Sequence, residues 1–308
     1  MVGACDMNCL VIGYGSIGER HARILKQMGY HVSIVSQRLD IDKYTVFHSI
    51  ETAMSCKKFN YVIIANNTCD HFSAMMELGR LTYKNLLLIE KPVFDFLKVT
   101  PKFRSGSVFV AYNLRFHPVI LEIYRLLQSK KIYSMHVYCG QYLPTWRIGN
   151  NYQKSYSAHK KSGGGVLRDL SHELDYINWM TGGWKSVSSI GGKFSDLEID
   201  SDDVFCLLLE TERCPAISLQ VNYLDRQPRR EMIINAEKLS LKADLIAGTL
   251  ELDGVLKKYD VSSDATYIDQ HKALINENFD IPCDFEQGCD VLALIENSEN
   301  AFEKRIWK

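Results

Sequence analysis

The stretch LVIGYGSIGERH (Leu10–His21) decides how this sequence is to be folded. Gly13, Gly15 and Gly18 follow a short apolar run, CLVIG, and open a second pattern, SIGERHARILKQMGY. In that second pattern Ile17, Ile24, Leu25 and Met28 share one helical stripe, and Gly29 ends it at a C-cap position. Strand, glycine turn and helix in this order form a phosphate-binding loop. The glycines permit a tight turn, close approach of a pyrophosphate and close helix–strand packing. The helix N-terminus adds free N–H groups and a partial positive charge. A bound nucleotide is the expectation.

Working outward, the first 115 or so residues alternate strand and helix signals, the mark of a parallel sheet. HVSIVS is a second strand; YVIIA, LLLIE and SVFVAYN are apolar runs suited to strands buried on both faces, and DHFSAMMELGR fits a helix between two of them. After Phe116 the texture changes. PVILEIYRLLQSKK is a helix pattern, followed by YSMHVYCGQYL in a long segment rich in Tyr and Trp. From Ser186 to about Asp260 short strand-like runs with turn signals predict an antiparallel sheet. From about Pro282 an amphipathic helix carries Val291, Leu292, Ile295 and Phe302.

Composition narrows the function classes. A chain of 308 residues suggests two domains. With a net charge of -1 and no basic block, nothing draws it to nucleic acid or an anionic membrane. No run approaches the ~18 apolar residues of a membrane span. The N-terminus has no basic stretch before its apolar run, so a cytoplasmic location is expected. The nine cysteines are scattered with no CxxC pair, which reads as buried, reduced thiols rather than a zinc or redox site. No metal-ligand cluster is visible.

The end of the second strand bears on the nucleotide. IVSQR supplies Ser36, Gln37 and Arg38, with no acid before Asp40. Ser and Arg suit a 2′-phosphate, which favours NADP. The alternative is NAD, with Asp40 on the ribose and Arg38 a solvated loop residue.

SGGGVLRDLSHELDYINWM (Ser162–Met180) is the second informative stretch. At about 100° per residue, Leu167, Leu170, Leu174 and Ile177 form a core stripe. Asp169, His172 and Tyr176 fall on the other side, with His172 about 60° from both Asp169 and Asp175. A histidine so flanked is placed as a proton acceptor. The other reading is a histidine on a solvated face or hydrogen-bonded at a domain join. The glycines let the helix begin close to a substrate. Before them, Trp146, Arg147, Tyr152 and Tyr156 lie in a loop whose aromatic faces suit carbohydrate rings, while Arg147 or Lys161 suits an anionic group. An ordinary surface loop is the alternative. DRQPRRE (Asp225–Glu231) reads as a turn between strands.

LLLIEKP places Lys91 at the C-terminal end of a buried strand, where open α/β sheets bind ligands, and Pro92 can take a cis bond there. Together with the glycine loop this resembles the Gfo/Idh/MocA family of NAD(P)-dependent oxidoreductases, over nearly the whole chain. ANNTCDH (Ala65–His71) resembles its A-T-P-T-x-x-H segment, AYNLRFHP (Ala111–Pro118) its join between domains, and SGGGVLRDLSHELD its G-G-G-x-x-x-D…H-x-x-D helix. The family usually has three residues between that Asp and His, where DLSH has two.

The resemblance implies an NAD(P)-binding Rossmann domain with a parallel sheet over residues 1–116. It implies a substrate-binding and dimerisation domain, an α/β domain with an open, mostly antiparallel sheet, over residues 117–308. Implied cofactor contacts are Gly13, Tyr14, Gly15, Ser16, Ile17, Gly18, Ser36, Arg38, Asn66, Thr68, His71, Glu90, Lys91 and Asn113. Implied catalytic residues are Lys91, His172 and Asp169, with Trp146, Arg147 and Tyr152 joining them as substrate contacts. The implied activity is hydride transfer between NADP or NAD and a sugar, sugar derivative or polyol. A homodimer or homotetramer through the C-terminal sheet is implied as well. The alternatives are a cofactor-dependent epimerase or glycosidase without net redox, and a non-catalytic NAD(P)-binding regulator.

Overall fold

The computed structural model describes residues 7–100, 108–146, 149 and 151–303. Cys5 and Arg147, the latter an expected substrate contact, lie outside the described residues. The chain forms two compact units, one comprising the chain up to Asn113 with Asp264–Cys289, the other Leu114–Ser263 with the chain from Asp290 onward.

The first unit opens with β1 (Asn8–Ile12), α1 (Ser16–Gln27), β2 (His31–Val35), β3 (Thr45–Phe47), α2 (Ile50–Cys56), β4 (Tyr61–Ile64), α3 (Thr68–Arg80), β5 (Leu86–Ile89) and β6 (Val108–Val110). The second runs through α4 (Pro118–Leu127), β7 (Ile132–Gly140), α5 (Leu143–Trp146), α6 (Val166–Asp169), α7 (His172–Thr181), β8 (Trp184–Gly192), β9 (Val204–Thr211) and β10 (Ile217–Asn222). It continues with β11 (Arg229–Ala236), β12 (Leu239–Asp244), β13 (Thr249–Leu252) and β14 (Val255–Lys258). The chain then returns to the first unit as α8 (Ala265–Ile275) and β15 (Cys283–Asp284), and α9 (Phe285–Glu303) begins there and ends in the second.

The first sheet has the order β15-β6-β5-β4-β1-β2-β3. Every pair is parallel except β15 with β6. Its central strands β1, β4 and β5 are buried almost throughout, as their unbroken apolar runs require. The helical stripe of α1 buries Ile24 and Leu25 as expected, and with them His21 and Ala22. The short β3 and α2 have no counterpart in the sequence reading. Their three and seven residues carry too little periodicity to stand out.

The sequence reading placed a single join near Phe116, whereas the first unit also contains α8 and β15. Two interactions bring them there. Cys283 and Asp284 pair with Val110 and Phe109 and cover the β6 edge, which would otherwise expose unpaired backbone groups. Asp264 binds Arg20 and Arg23 of α1, each at 2.9 Å.

The second unit holds an eight-stranded sheet in the order β14-β13-β12-β11-β7-β10-β9-β8. It is antiparallel apart from the central parallel pair β7–β10. Strict alternation of buried and exposed positions along β9 gives the sheet one covered and one open face. That alternation corrects the expectation for Cys206, which lies in an apolar run yet faces outward and is exposed. Cys56 and Cys69 are exposed too, whereas Cys9, Cys139, Cys214 and Cys283 are buried thiols.

Candidate functional site

In the first unit the candidate residues gather along one sheet edge. Ile12, Ile64, Ile89 and Val110 stand opposite one another in the register, so β1, β4, β5 and β6 end together. The glycine loop, Asn66, Lys91 and Asn113 each follow one of these ends. At about 4.8 Å per strand, Lys91 stands roughly 10 Å along the edge from Gly13.

The three glycines have separate reasons to be glycine. Gly13 has φ +96°, and a Cβ there would lie 2.5 Å from the Asn66 backbone. At Gly18 a Cβ would lie 2.2 Å from the Gly13 carbonyl oxygen, so α1 could not pack so close to the turn. Gly15 meets nothing within 4 Å and leaves its side of the loop open. It is also the N-cap of α1 and makes no side-chain cap bond, so no cap side chain competes for the first-turn N–H groups. An open approach onto a helix N-terminus fits a pyrophosphate.

Tyr14 and Arg38 meet at one end of this loop. The Arg38 guanidinium donates to the Tyr14 carbonyl at 3.2 Å and lies over the Tyr14 ring. Ser36 Oγ accepts the Arg38 N–H at 3.2 Å. The same guanidinium grips Asp40 with two bonds, of 2.9 and 2.6 Å, which hold the Asp40 carboxyl down at about 2. The two sequence alternatives for ribose recognition are thus partners in one fork.

Thr68 opens α3, next to Asn66. His71 is buried, with its ring nitrogens 3.2 Å from the carbonyls of Pro92, Val93 and Asn66. Burial lowers its pKa, so it stays neutral and ties the start of α3 to the turn after Lys91. The Lys91–Pro92 peptide is cis. Glu90 is engaged on both carboxyl oxygens: His21 Nε2 lies 2.8 Å from Oε1, and Oε2 accepts the Lys91 N–H at 3.2 Å. Asn113 donates to Thr266 Oγ1 of α8 at 2.7 Å.

In the second unit the glycine-led stretch is not one continuous helix. α6 ends at Asp169, Leu170 leaves helical geometry with ψ 33°, and α7 begins afresh at His172. Leu167, Leu170, Leu174 and Ile177 are buried as the stripe predicts. The opposite side is no solvated face, however: Asp169, Glu173, Asp175 and Tyr176 are also buried. The break resets the helical phase, so angular arguments from Asp169 to His172 do not carry across it.

The buried acids have separate partners. Asp169 accepts a 2.6 Å bond from the Tyr223 hydroxyl, whose pKa is driven far up by burial and by Asp169 itself. Asp175, expected to flank His172, forms a bidentate pair with Arg115 at 2.6–3.1 Å. Glu173 pairs with Arg230 at 2.8 Å, which gives the DRQPRRE turn a role that its sequence does not announce. Trp146, at the end of α5, has its ring 5.8 Å from that of Tyr223 and so joins Asp169 in one cluster. The Tyr152 hydroxyl accepts the Glu198 N–H at 3.4 Å. Tyr156 and Lys161 are exposed.

Two of the three glycines before α6, Gly164 and Gly165, are close-packed. A Cβ at Gly164 would lie 2.1 Å from the Tyr156 carbonyl oxygen, and one at Gly165 2.4 Å from the Asp202 carboxylate. Burial, with Glu299 adding to it, pushes the Asp202 carboxyl up to about 6 against the backbone N–H groups that oppose it. Among the described residues no group of three or more His, Cys, Asp or Glu side chains is placed to hold a metal ion.

His21, His271 and Tyr223 were not singled out from the sequence. His21 lies on the α1 stripe, four residues after Ile17 and three before Ile24, and that position was the available signal. His271 and Tyr223 reach their partners from far along the chain and leave no local pattern.

Comparison with known proteins accords with this architecture. Residues 121–242 match the GFO/IDH/MocA C-terminal domain. Levoglucosan dehydrogenase in complex with NADH superposes with a TM-score of 0.83, with 15% identity over 98% of both chains. The WlbA dehydrogenase from Bordetella pertussis, in complex with NADH and UDP-GlcNAcA, gives 0.78 with 16% identity over 98% of both chains. UDP-N-acetylglucosamine 3-dehydrogenase GnnA from Acidithiobacillus ferrooxidans gives 0.76 with 18% identity, over 97% of this chain and 98% of that one. No curated protein matches the chain. With a Rossmann-type parallel sheet in the first unit and residues 121–242 of the second matching the GFO/IDH/MocA C-terminal domain, the chain shares the two-domain fold of these structures.

Proposed function

We propose that the chain is an NAD(P)-dependent oxidoreductase that moves hydride between nicotinamide and a sugar, sugar derivative or polyol. One observation carries this reading: the open glycine loop and Lys91 stand on the same carboxyl edge of one parallel sheet. The dinucleotide supplies the hydride chemistry when bound, and the protein supplies alignment. The loop from Gly13 to Gly18 holds the pyrophosphate. Ser36 and Arg38 recognise a 2′-phosphate and favour NADP over NAD.

Lys91 holds the substrate hydroxyl and stabilises charge that develops on its oxygen. His172 accepts the hydroxyl proton in the oxidising direction. Asp169, held by Tyr223, binds a second hydroxyl or orients His172. Trp146 and Tyr152 offer aromatic faces to the sugar ring. The sugar reading is supported by what similar structures are named for: levoglucosan in one, and a UDP-linked N-acetylglucosamine in another. The open face of the second sheet, where Leu208 and Ile233 are exposed, is the self-association surface.

The test is NAD(P)H formation or loss, followed by fluorescence, against a panel of free, acidic and nucleotide-linked sugars. For a substrate found in this way, Lys91→Ala lowers kcat by about 10²–10⁴-fold, the scale of a lost acid–base or electrostatic group. Dinucleotide binding stays measurable. Turnover equal to wild type in that variant would remove Lys91 from the mechanism.

A further inference from the structure

Behind Glu90 four side chains from the first unit form one hydrogen-bonded line. Tyr61 Oη lies 2.9 Å from His271 Nδ1, His271 Nε2 lies 2.9 Å from His21 Nδ1, and His21 Nε2 lies 2.8 Å from Glu90 Oε1. Tyr61, His21 and His271 are fully buried and Glu90 nearly so. The members come from β4, α8, α1 and the end of β5, and the two histidines are 250 residues apart in sequence.

The ends of the line set its direction. Burial raises the Tyr61 pKa far above its ordinary value, so the phenol keeps its proton, and because a buried hydroxyl proton needs an acceptor and His271 Nδ1 is its hydrogen-bond partner, the hydroxyl donates there. Burial and the neighbouring His21 ring lower the His271 pKa well below its ordinary value, so this ring is neutral and carries its one proton on Nε2. That proton is donated to His21 Nδ1, which leaves the His21 proton on Nε2, donating to the Glu90 carboxylate. Every donor meets an acceptor, and no atom in the line is asked to do both at once. The line does not stop at Glu90, because its second oxygen accepts the Lys91 N–H.

The surroundings hold the line in place. Asp264, just before α8, is pinned by Arg20 and Arg23 of α1, which sets His271 against His21. The Tyr267 ring stands edge-on to His21, with the Arg20 guanidinium over its face. A purely space-filling core needs none of these polar atoms, and apolar side chains of similar shape would avoid their desolvation cost.

We propose that Tyr61, His271 and His21 are positioning residues. They form a relay with one fixed donor direction that sets the orientation of the Glu90 carboxylate and, through it, the Lys91 peptide. The proposal deepens the role given to Lys91 above and rests on that role only for its consequence in turnover.

The test compares His271→Gln with His271→Leu in the full chain, read by ¹⁵N NMR of the imidazole rings and of the Lys91 backbone amide. In the wild-type protein at pH 8 both rings carry the proton on Nε2. Gln retains a donor where His271 Nε2 stood, so the His21 ring and the Lys91 amide keep their wild-type signals. Leu removes the donor, and both signals move. Should the Leu variant not fold, Tyr61→Phe, which removes only the distal hydroxyl, is read in the same way: changes must reach His21 and Lys91. Three results overturn the relay: either wild-type ring protonated on Nδ1, equal changes in the Gln and Leu variants, or changes that end at His271. Turnover does not enter the measurement, so loss of the oxidoreductase reading leaves the relay standing. A failed relay likewise leaves the role of Lys91 to its own test.

Discussion

Arg38 and Asp40 show how much chemistry a separation of two residues can hold. The sequence offers them as rival ribose ligands, and the fold pairs them. A 2′-phosphate must then compete with the Asp40 carboxylate for the guanidinium. Arg38→Ala therefore weakens NADP binding more than NAD binding, by about tenfold or more for the loss of charge-assisted bonds. Asp40→Ala strengthens NADP alone by freeing the fork. Fluorescence titration of both reduced cofactors checks this, and parallel changes for the two would remove Arg38 from 2′-phosphate recognition. His117 supports a prediction of a different kind. Its Nδ1 accepts the Val119 N–H at the start of α4, and its Nε2 donates to the Leu245 carbonyl. Burial, reinforced by Arg230, lowers its pKa to about 4 against the pull of that carbonyl. The unfolded ring has a pKa of about 6.5. Above that pH the contribution to stability is fully present; as pH falls toward 4 the unfolded chain takes up a proton that the folded chain refuses. Stability is lost across that window, by roughly 2–4 kcal/mol in all. His117→Asn keeps a helix cap but has no proton to take up, so its urea midpoint declines less between pH 6.5 and 4 than that of wild type. Parallel curves would assign the acid sensitivity to other groups. The glycine loop was legible because its spacing is local. The Tyr223–Asp169 bond was not, because 54 residues separate its partners and each looks ordinary in its own run.

At the level of elements, long apolar runs and strong periodicity translated directly. β1, β4, β5, α1 and α4 lie where their patterns place them. The failures share a cause. The α6–α7 break at Leu170 and Ser171 is invisible to a hydrophobic stripe that continues across it, since those leucines stay buried on both sides. The positions of α8 and β15 depend on partners more than a hundred residues away, Arg20, Arg23 and Val110. This has a consequence for cutting the chain. A fragment ending at residue 116, the boundary that the sequence suggests, keeps the glycine loop and Lys91. It loses the strand covering β6, the Thr266 acceptor of Asn113, the Asp264 anchor of α1 and the His271 partner of both His21 and Tyr61. Buried polar groups left without partners cost ~1–3 kcal/mol each, against a total domain stability of ~5–15 kcal/mol. Such a fragment fails to give a cooperative thermal transition by circular dichroism, whereas residues 7–113 joined by a short flexible linker to 264–289 melt cooperatively. A cooperative transition of the shorter fragment would make α8 and β15 dispensable.

For the whole molecule the surface left open by the second sheet matters most. Across β8, β9, β10, β7 and β11 the register aligns Ser188, Leu208, Ser218, His136 and Ile233 in one outward-facing row. Leu208 and Ile233 are 55% and 44% exposed, and Ile190, one strand over, is 46% exposed. Eight strands at about 4.8 Å and six residues at about 3.3 Å present roughly 750 Å². That is close to the ~800 Å² per partner of a standard protein interface. Across these five strands serines and a histidine separate the apolar residues, and the charged side chains of the row, Lys242 and Glu251, stand opposite each other beyond Ile233. Sedimentation velocity of the full chain should therefore show a dimer or a larger symmetric assembly. The double variant Leu208→Glu, Ile233→Glu brings four carboxylates into a two-fold interface and weakens association by at least tenfold per buried charge, about 1.4 kcal/mol each. Both residues point away from the covered face, so the thermal midpoint of the variant stays near that of the wild-type monomer. Identical sedimentation of the two proteins, whether as monomers or as oligomers, would show that this face stays in water and that any assembly uses another surface.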